Sequence, residues 1–375
     1  MMRTRTVFLA VSVVVVLLFS GVLLASRNSQ DALFRALGNL AEVVHLVETE
    51  YVDELNQEAL KLSLDAGLVE PLDRSAAVLP ADQVNEYLEF VESPPPFGLG
   101  LSSRLGSAAV QFVFPGSPAE SAGLDTWEVI ELVDGINSRG RPLWQIRLDL
   151  MARENKGEPV RLTVFDREVD ERREVVLEPL EWTLRPATAE LRDEAIIIHV
   201  EALPEGSVEA LVELIIDDRP LILDLREMRW GLENEAVALA DVFIDDGVLG
   251  AWKGRRAGAR TYSATVGTVQ RELPVVLVGP ETNGAGEVLA AALQRHGAVV
   301  VGERTVGHAP YMSLVRDGEV SVWMPVGEWM RSDDTPINGN GIEPDEAVEG
   351  DSEAAVDPVL ARALEILSLE LEKAA

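Results

Sequence analysis

The chain contains no cysteine among its 375 residues. Disulfide staples, thiolate nucleophiles and cysteine-ligated metal centres are therefore excluded in any redox compartment. Lysine is almost as scarce, with only Lys61, Lys156, Lys253 and Lys373. Histidine is confined to His45, His199, His296 and His308. These four are too scattered to show metal-ligand spacing, so neither a metal nor a cofactor is expected. Positive charge is the third shortage: 64 Asp and Glu face 32 Lys and Arg, a net charge of −32. Such a surface repels phosphate, which argues against a nucleic-acid partner. It suits a strongly screened, high-salt setting, where self-repulsion is damped, and lineage composition accounts for it equally well. The remainder is ordinary for globular protein, at 47% hydrophobic and 26% charged residues. The length is sufficient for two or three domains with real cores.

Val7 to Ala25 is an apolar run broken only by Ser12, Ser20 and Gly21. As a helix it would reach about 28 Å, close to the thickness of a bilayer's hydrocarbon core. Arg3 and Arg5 precede it, which orients the N-terminus to the cytoplasm and the body to the extracytoplasmic, periplasmic side. The alternative is a cleaved signal peptide and a secreted body. The run is longer than a usual signal core, and Leu23, Leu24, Ala25 makes a poor cleavage site, so an uncleaved anchor over 1–27 is expected.

Residues 28–93 read as a helical region, with Leu33, Leu37, Leu40, Val43, Val44 and Val47 at helical spacing. Pro94, Pro95 and Pro96 mark a boundary. From 190 onward, short apolar runs such as Ile196 to Val200 and Leu221 to Leu225 alternate with helical segments, the pattern of a layered α/β domain. A closing amphipathic helix is expected within 351–375, where Asp357 and Pro358 supply a cap and a first turn.

The segment most relevant to function is Pro274 to His308. A buried strand, Val275 to Val278, enters a turn of small residues. A helix runs from about Gly286 to His296, and Gly297 can end it. A second strand, Val299 to Val301, leads to a loop holding His308. This is the layout of a catalytic elbow, with a nucleophile due at the turn and a base due in the loop. The turn holds Gly284, which has no side chain with which to attack a carbonyl.

These residues resemble the carboxy-terminal processing peptidases, or tail-specific proteases, which pair a serine with a lysine base. Their S-A-S-E elbow aligns on Glu287 and puts Gly284 at the serine position. Their G-E-x-T-x-G-K loop reads Gly302, Glu303, Arg304, Thr305, Val306, Gly307, His308 here, with histidine in place of lysine. The assisting glutamine position holds Met312. Leu223 to Arg226 with Glu235 to Phe243 resembles the family's strand, oxyanion turn and helix. The turn itself reads Glu227, Met228, Arg229, Trp230, Gly231, with Trp230 in place of a glycine. Gly339 to Asp345 is similar to the family's G-K-G-I-x-P-D, and Tyr51 to Asp53 with Leu72 and Asp73 resembles its N-terminal region.

Phe97 to Leu101, then Gly116 to Ala119, Ala122 to Leu124, and Val133 to Gly135 follow the ordering of a PDZ domain. In that likeness the backbone N–H groups of Gly98, Leu99, Gly100 and Leu101 meet a peptide's terminal carboxylate, and the peptide adds as a strand. The likeness implies an α+β to α/β multidomain chain. It would consist of the membrane segment (1–27), the helical region (28–93), a PDZ domain (94–182), a peptidase-type α/β core of the crotonase-like kind (183–350), and the C-terminal helix (351–375).

The function expected is that of an inactive homologue that binds protein C-termini or extended polypeptide, and that could assemble with an active relative. One rival is an active serine-type endopeptidase using other residues, with Thr282 and His308 as the candidate pair and Ser313 as a further hydroxyl. The other is a structural envelope protein.

Overall fold

The computed structural model describes residues 35, 38–52, 57–69, 71–104, 106–167, 169–192, 195–215, 218–267, 272–318, 320–350 and 357–374. The apolar run at 7–25 lies outside them. Among the described residues no helix is long and apolar enough to cross a membrane. The chain forms two compact units, 1–61 and 62–375. In the first, residues 38–50 are helical.

Among the described residues the second unit has three sheets of five or six strands and one parallel two-stranded pair, Ala202–Leu203 with Trp230–Gly231. The central one has six strands in the order Glu346–Ala347, Val300–Gly302, Val275–Val278, Leu221–Asp224, Ala195–Val200 and Ala187–Arg192. The first five run parallel, and Ala187–Arg192 is antiparallel to its neighbour. Both faces are covered, which is why these strands are continuous apolar runs rather than alternating ones. Alternate side chains serve opposite cores. Ile196, Ile198, Leu223, Val276 and Val278 pack with the helices Glu233–Asp241 and Ala285–Arg295. Ile197, Ile222, Val275 and Leu277 pack against the C-terminal helix Pro358–Ala374. That helix is held at its start by Asp357, whose carboxylate accepts from the N–H groups of Val359 and Leu360 and from Arg226.

Residues 96–177 form a β-rich unit. Leu99–Arg104 is one edge of a six-stranded antiparallel sheet, and the helix Leu143–Lys156 packs on its core. An aromatic cluster of Phe112, Phe114 and Leu184 with Ala202, flanked by Trp182 and Trp230, joins this unit to the α/β core.

One expectation needs correction. The stretch read as wholly helical includes a strand, Ala77–Leu79, which pairs with Val320–Trp329 in a five-stranded antiparallel sheet. Its three residues lie between a turn at 74–75 and Pro80, too short a run to close helical hydrogen bonds. The sheet edge satisfies their backbone groups instead.

Candidate active site

Three loops emerge side by side from the carboxyl ends of three adjacent parallel strands, Leu221–Asp224, Val275–Val278 and Val300–Gly302. Open α/β sheets gather ligands at this edge. The loops hold Met228 to Gly231, Gly279 to Gly284 and Glu303 to His308, so topology alone brings together the three stretches that resemble catalytic machinery.

Gly284 caps the elbow helix at φ +53°, ψ −116°. No L-residue region of the backbone map lies there, which marks a sharp, strained strand-to-helix turn. A β-carbon on Gly284 would meet only the His308 carbonyl oxygen, 3.9 Å away. The nucleophile's place is thus open space on a backbone still bent to present it.

Glu287 holds the turn against the next loop. It is fully buried, and its carboxylate accepts from Thr305 Oγ1, from the N–H of Gly307 at 2.7 Å and of His308 at 2.8 Å, and from Gly284 N–H at 3.3 Å. Burial pushes its pKa above the ordinary carboxylate value, and the four donors oppose that shift without cancelling it. Thr305 Oγ1 also accepts from Ile342 N–H at 2.8 Å. A β-carbon on Gly307 would come within 2.7 Å of the Gly341 nitrogen. The loop at 302–308 and the Gly339 to Asp345 motif therefore interlock, and the glycines are required by the close backbone approach.

His308 lies in the loop where the sequence reading puts the base. Its N–H donates to Glu287, its carbonyl accepts from Gly284 N–H at 3.1 Å, and its Nε2 lies 3.0 Å from Asp73 Oδ2. A carboxylate can only accept, so Nε2 carries the proton. The hydrogen bond to Asp73 raises the imidazole pKa above its ordinary value, outweighing burial. Burial alone would raise the Asp73 pKa, but the bonds from His308 and the Ser75 N–H bring it below the usual value. The Asp73 side chain is 6% exposed and that of His308 44%. The arrangement is an oriented imidazole open to solvent on one side.

Thr282 is not the partner of that imidazole. Its hydroxyl is fully buried, donates to the Leu225 carbonyl at 2.7 Å and accepts from Gly279 N–H at 3.0 Å. It locks the turn to the neighbouring strand, which accounts for a threonine there without chemistry. Ser313 and Met312 lie in the strand Pro310–Asp317, opposite Met324 and Pro325. Lys253 lies in the strand Val248–Gly254 and is ion-paired with Asp334.

The oxyanion turn is also rebuilt. Trp230 is half-buried and drawn into the aromatic cluster, while its backbone pairs with Ala202. The space beneath the elbow is taken by Met228, which is fully buried. Its sulfur would lie 3.1 Å from a β-carbon on Gly286. Arg229 Nε donates to Glu281 at 2.6 Å and ties this turn to the elbow. Sequence reasoning assigned no role to Met228 or Asp73.

In the β-rich unit the loop expected to offer free N–H groups uses them internally. Gly98 N–H donates to Pro95 O at 3.0 Å, Leu99 N–H bonds Pro96 O, and Phe97 N–H donates to Glu154 at 2.7 Å. Gly100 and Leu101 continue as the edge strand, and Arg147 donates to the Leu101 carbonyl at 2.6 Å. At Gly98 and Leu99 the amides expected to be open are thus already bonded. Among the described residues no group of three His, Asp or Glu could hold a metal.

Comparison with known proteins fits this geometry. The profile of peptidase family S41 matches residues 198–348. The chain is 25% identical over 354 residues to a probable CtpA-like serine protease of Staphylococcus aureus (strain MRSA252), covering 91% of this chain and 70% of the relative. It is 23% identical over 342 residues to a carboxy-terminal-processing protease of Bartonella bacilliformis, covering 86% of this chain and 77% of the relative. Among solved structures, the photosystem II D1 C-terminal processing protease superposes with a TM-score of 0.60 at 23% identity, over 81% of this chain and 85% of that one. That likeness concerns the fold alone.

Proposed function

We propose that this chain, a relative of the S41 carboxy-terminal processing peptidases, engages extended polypeptide without hydrolysing it. The observation that carries the reading is Gly284: the elbow keeps its bend and its Glu287 tether but has no nucleophile. Two further features support it. Thr282, the nearest hydroxyl in sequence to the elbow position, is committed to backbone partners, and His308 is bonded to Asp73 rather than to a hydroxyl. Removing a nucleophile leaves at most a small residual effect over water.

The polypeptide-binding element in this reading is the PDZ-like unit at 94–182, whose edge strand Leu99–Arg104 is paired on one side only. Residues 7–25 serve as a membrane anchor with the body on the extracytoplasmic side, a reading supported by the length of the run and by Arg3 and Arg5.

The test uses the full-length chain in detergent with an unfolded protein as bait. Co-sedimentation should retain the bait, and intact-mass spectrometry should find no new termini. Reproducible fragments from the unmodified chain, absent from a Thr282→Ala variant, would overturn the non-hydrolytic reading in favour of a Thr–His enzyme.

A further inference from the structure

The loop that opens the edge strand already holds a carboxylate, and it belongs to the chain itself. Glu154 lies near the end of the helix Leu143–Lys156. Its Oε1 accepts from Phe97 N–H at 2.7 Å and lies 3.4 Å from the Trp182 indole nitrogen. Phe97 is fully buried and sits at φ +56°, ψ 14°, a left-handed conformation that a bulky residue rarely adopts. Strain of this kind persists only where its surroundings enforce it. Here Glu154 grips the N–H of the strained residue, and the next two N–H groups close onto Pro95 and Pro96. On the other side a β-carbon at Gly98 would lie 2.2 Å from the Ser117 β-carbon, so no residue larger than glycine fits there.

Resting on the reading that this unit engages polypeptide, we infer that Glu154, seated on the amide next to the 98–101 loop, excludes free chain ends from the PDZ-like groove. The groove therefore selects segments that present no terminal carboxylate at the loop: internal stretches of an extended chain. The reasoning has two parts. A ligand carboxylate would meet a loop whose Gly98 and Leu99 amides are already closed onto Pro95 and Pro96, next to the Phe97 amide that Glu154 occupies. It would also have to approach a fixed negative charge, in a protein whose net charge of −32 adds no compensating field. Like charges set face to face at an interface act as a selective barrier.

The test is a comparison of ligand forms on the full-length chain in detergent. One decapeptide with an apolar end is offered as the free acid, as the C-terminal amide, and with polar residues appended beyond the apolar end. The wild type should bind the amide and the extended form at least about tenfold better than the acid. Glu154→Gln keeps an oxygen that can accept from Phe97 N–H but removes the charge, so it should shift the ratio of acid to amide affinity by about tenfold toward the acid. A purely structural Glu154 would change melting temperature without moving that ratio, so both are recorded.

Preference of the wild type for the free acid, or an unchanged ratio in Glu154→Gln, overturns the inference and leaves polypeptide binding standing. Absence of binding by both proteins to all three forms overturns the inference and the binding role together.

Discussion

Substituting Gly284 by serine would separate what the elbow costs from what it does. The backbone there stands at φ +53°, ψ −116°, outside the regions open to residues with a β-carbon. Space is not the obstacle, since the nearest heavy atom to a new β-carbon is the His308 oxygen at 3.9 Å. The cost is therefore backbone strain, about 1–3 kcal/mol. For a cooperative unit of this size about 1 kcal/mol shifts the melting temperature by roughly 2 °C, so Gly284→Ser should melt about 2–6 °C below wild type with one sharp transition. Gly302→Ser is the contrasting control: φ is +127°, and a β-carbon would lie 2.1 Å from the Val278 carbonyl oxygen, a clash with rigid backbone. That variant should lose far more stability or fail to fold. Scanning calorimetry reads both. Gly284→Ser should also release no peptide fragments, because members of a catalytic unit are grossly non-additive and His308 stays bonded to Asp73. An unshifted melting temperature would refute the strain argument, a loss equal to that of Gly302→Ser would refute the open space, and turnover would refute the claim that the missing side chain is not the only defect.

The other predictions concern buried charge. Asp73→Asn should lower the His308 midpoint in an NMR pH titration, since the bond to Asp73 is the main cause of its raised pKa. The linked stability has a definite sign. The His308 contribution is full below the ordinary histidine value of 6.5 and is lost as pH rises through its raised value. The Asp73 contribution is full above its ordinary 3.8 and is lost as pH falls through its lowered value, so the variant should flatten both limbs of the stability–pH profile. Arg226→Met should destabilise by about 3–5 kcal/mol, because it leaves the buried carboxylates of Asp224 and Asp357 without their shared cation. Hydrogen exchange should then rise in the helix Pro358–Ala374 before it rises in the central strands. Burial alone would raise the Asp224 pKa, but the bonds from Arg226 and His199 bring it down to about 2, so wild type should keep this contribution at pH 4 and lose it only as pH falls through about 2.

Much of the α/β core was legible because strands buried on both faces cannot hide: Val275 to Val278 and Leu221 to Leu225 stand out as apolar runs between turns. The identity of Gly284 was equally plain. What could not be read were partnerships between distant residues. Asp73 and His308 are 235 positions apart, and no local period links them. The strand Ala77–Leu79 is three residues long, below the reach of any periodicity, and exists because Val320–Trp329 offers it an edge. Nothing in the sequence singled out Glu154. Only the fold shows it turned toward the Phe97 amide, closing the loop that the sequence suggested was open.

The retained bend at Gly284 follows from which contacts hold it. The bonds that fix the elbow run through Glu287, the His308 backbone, Thr282 and the Arg229–Glu281 pair, and none runs through a side chain at position 284. A serine there would contribute chemistry and strain but no anchorage. Replacing it with glycine removes the strain and leaves the anchorage intact, so the substitution should stabilise the scaffold by the same 1–3 kcal/mol that serine would cost. Active sites commonly trade stability for function in this direction. Met228 adds to the same anchorage, its buried thioether packing beneath the elbow helix against Gly286. The contacts that hold this elbow in shape thus need no side chain at position 284. An intact elbow by itself therefore says nothing about turnover, which depends on the side chain at 284.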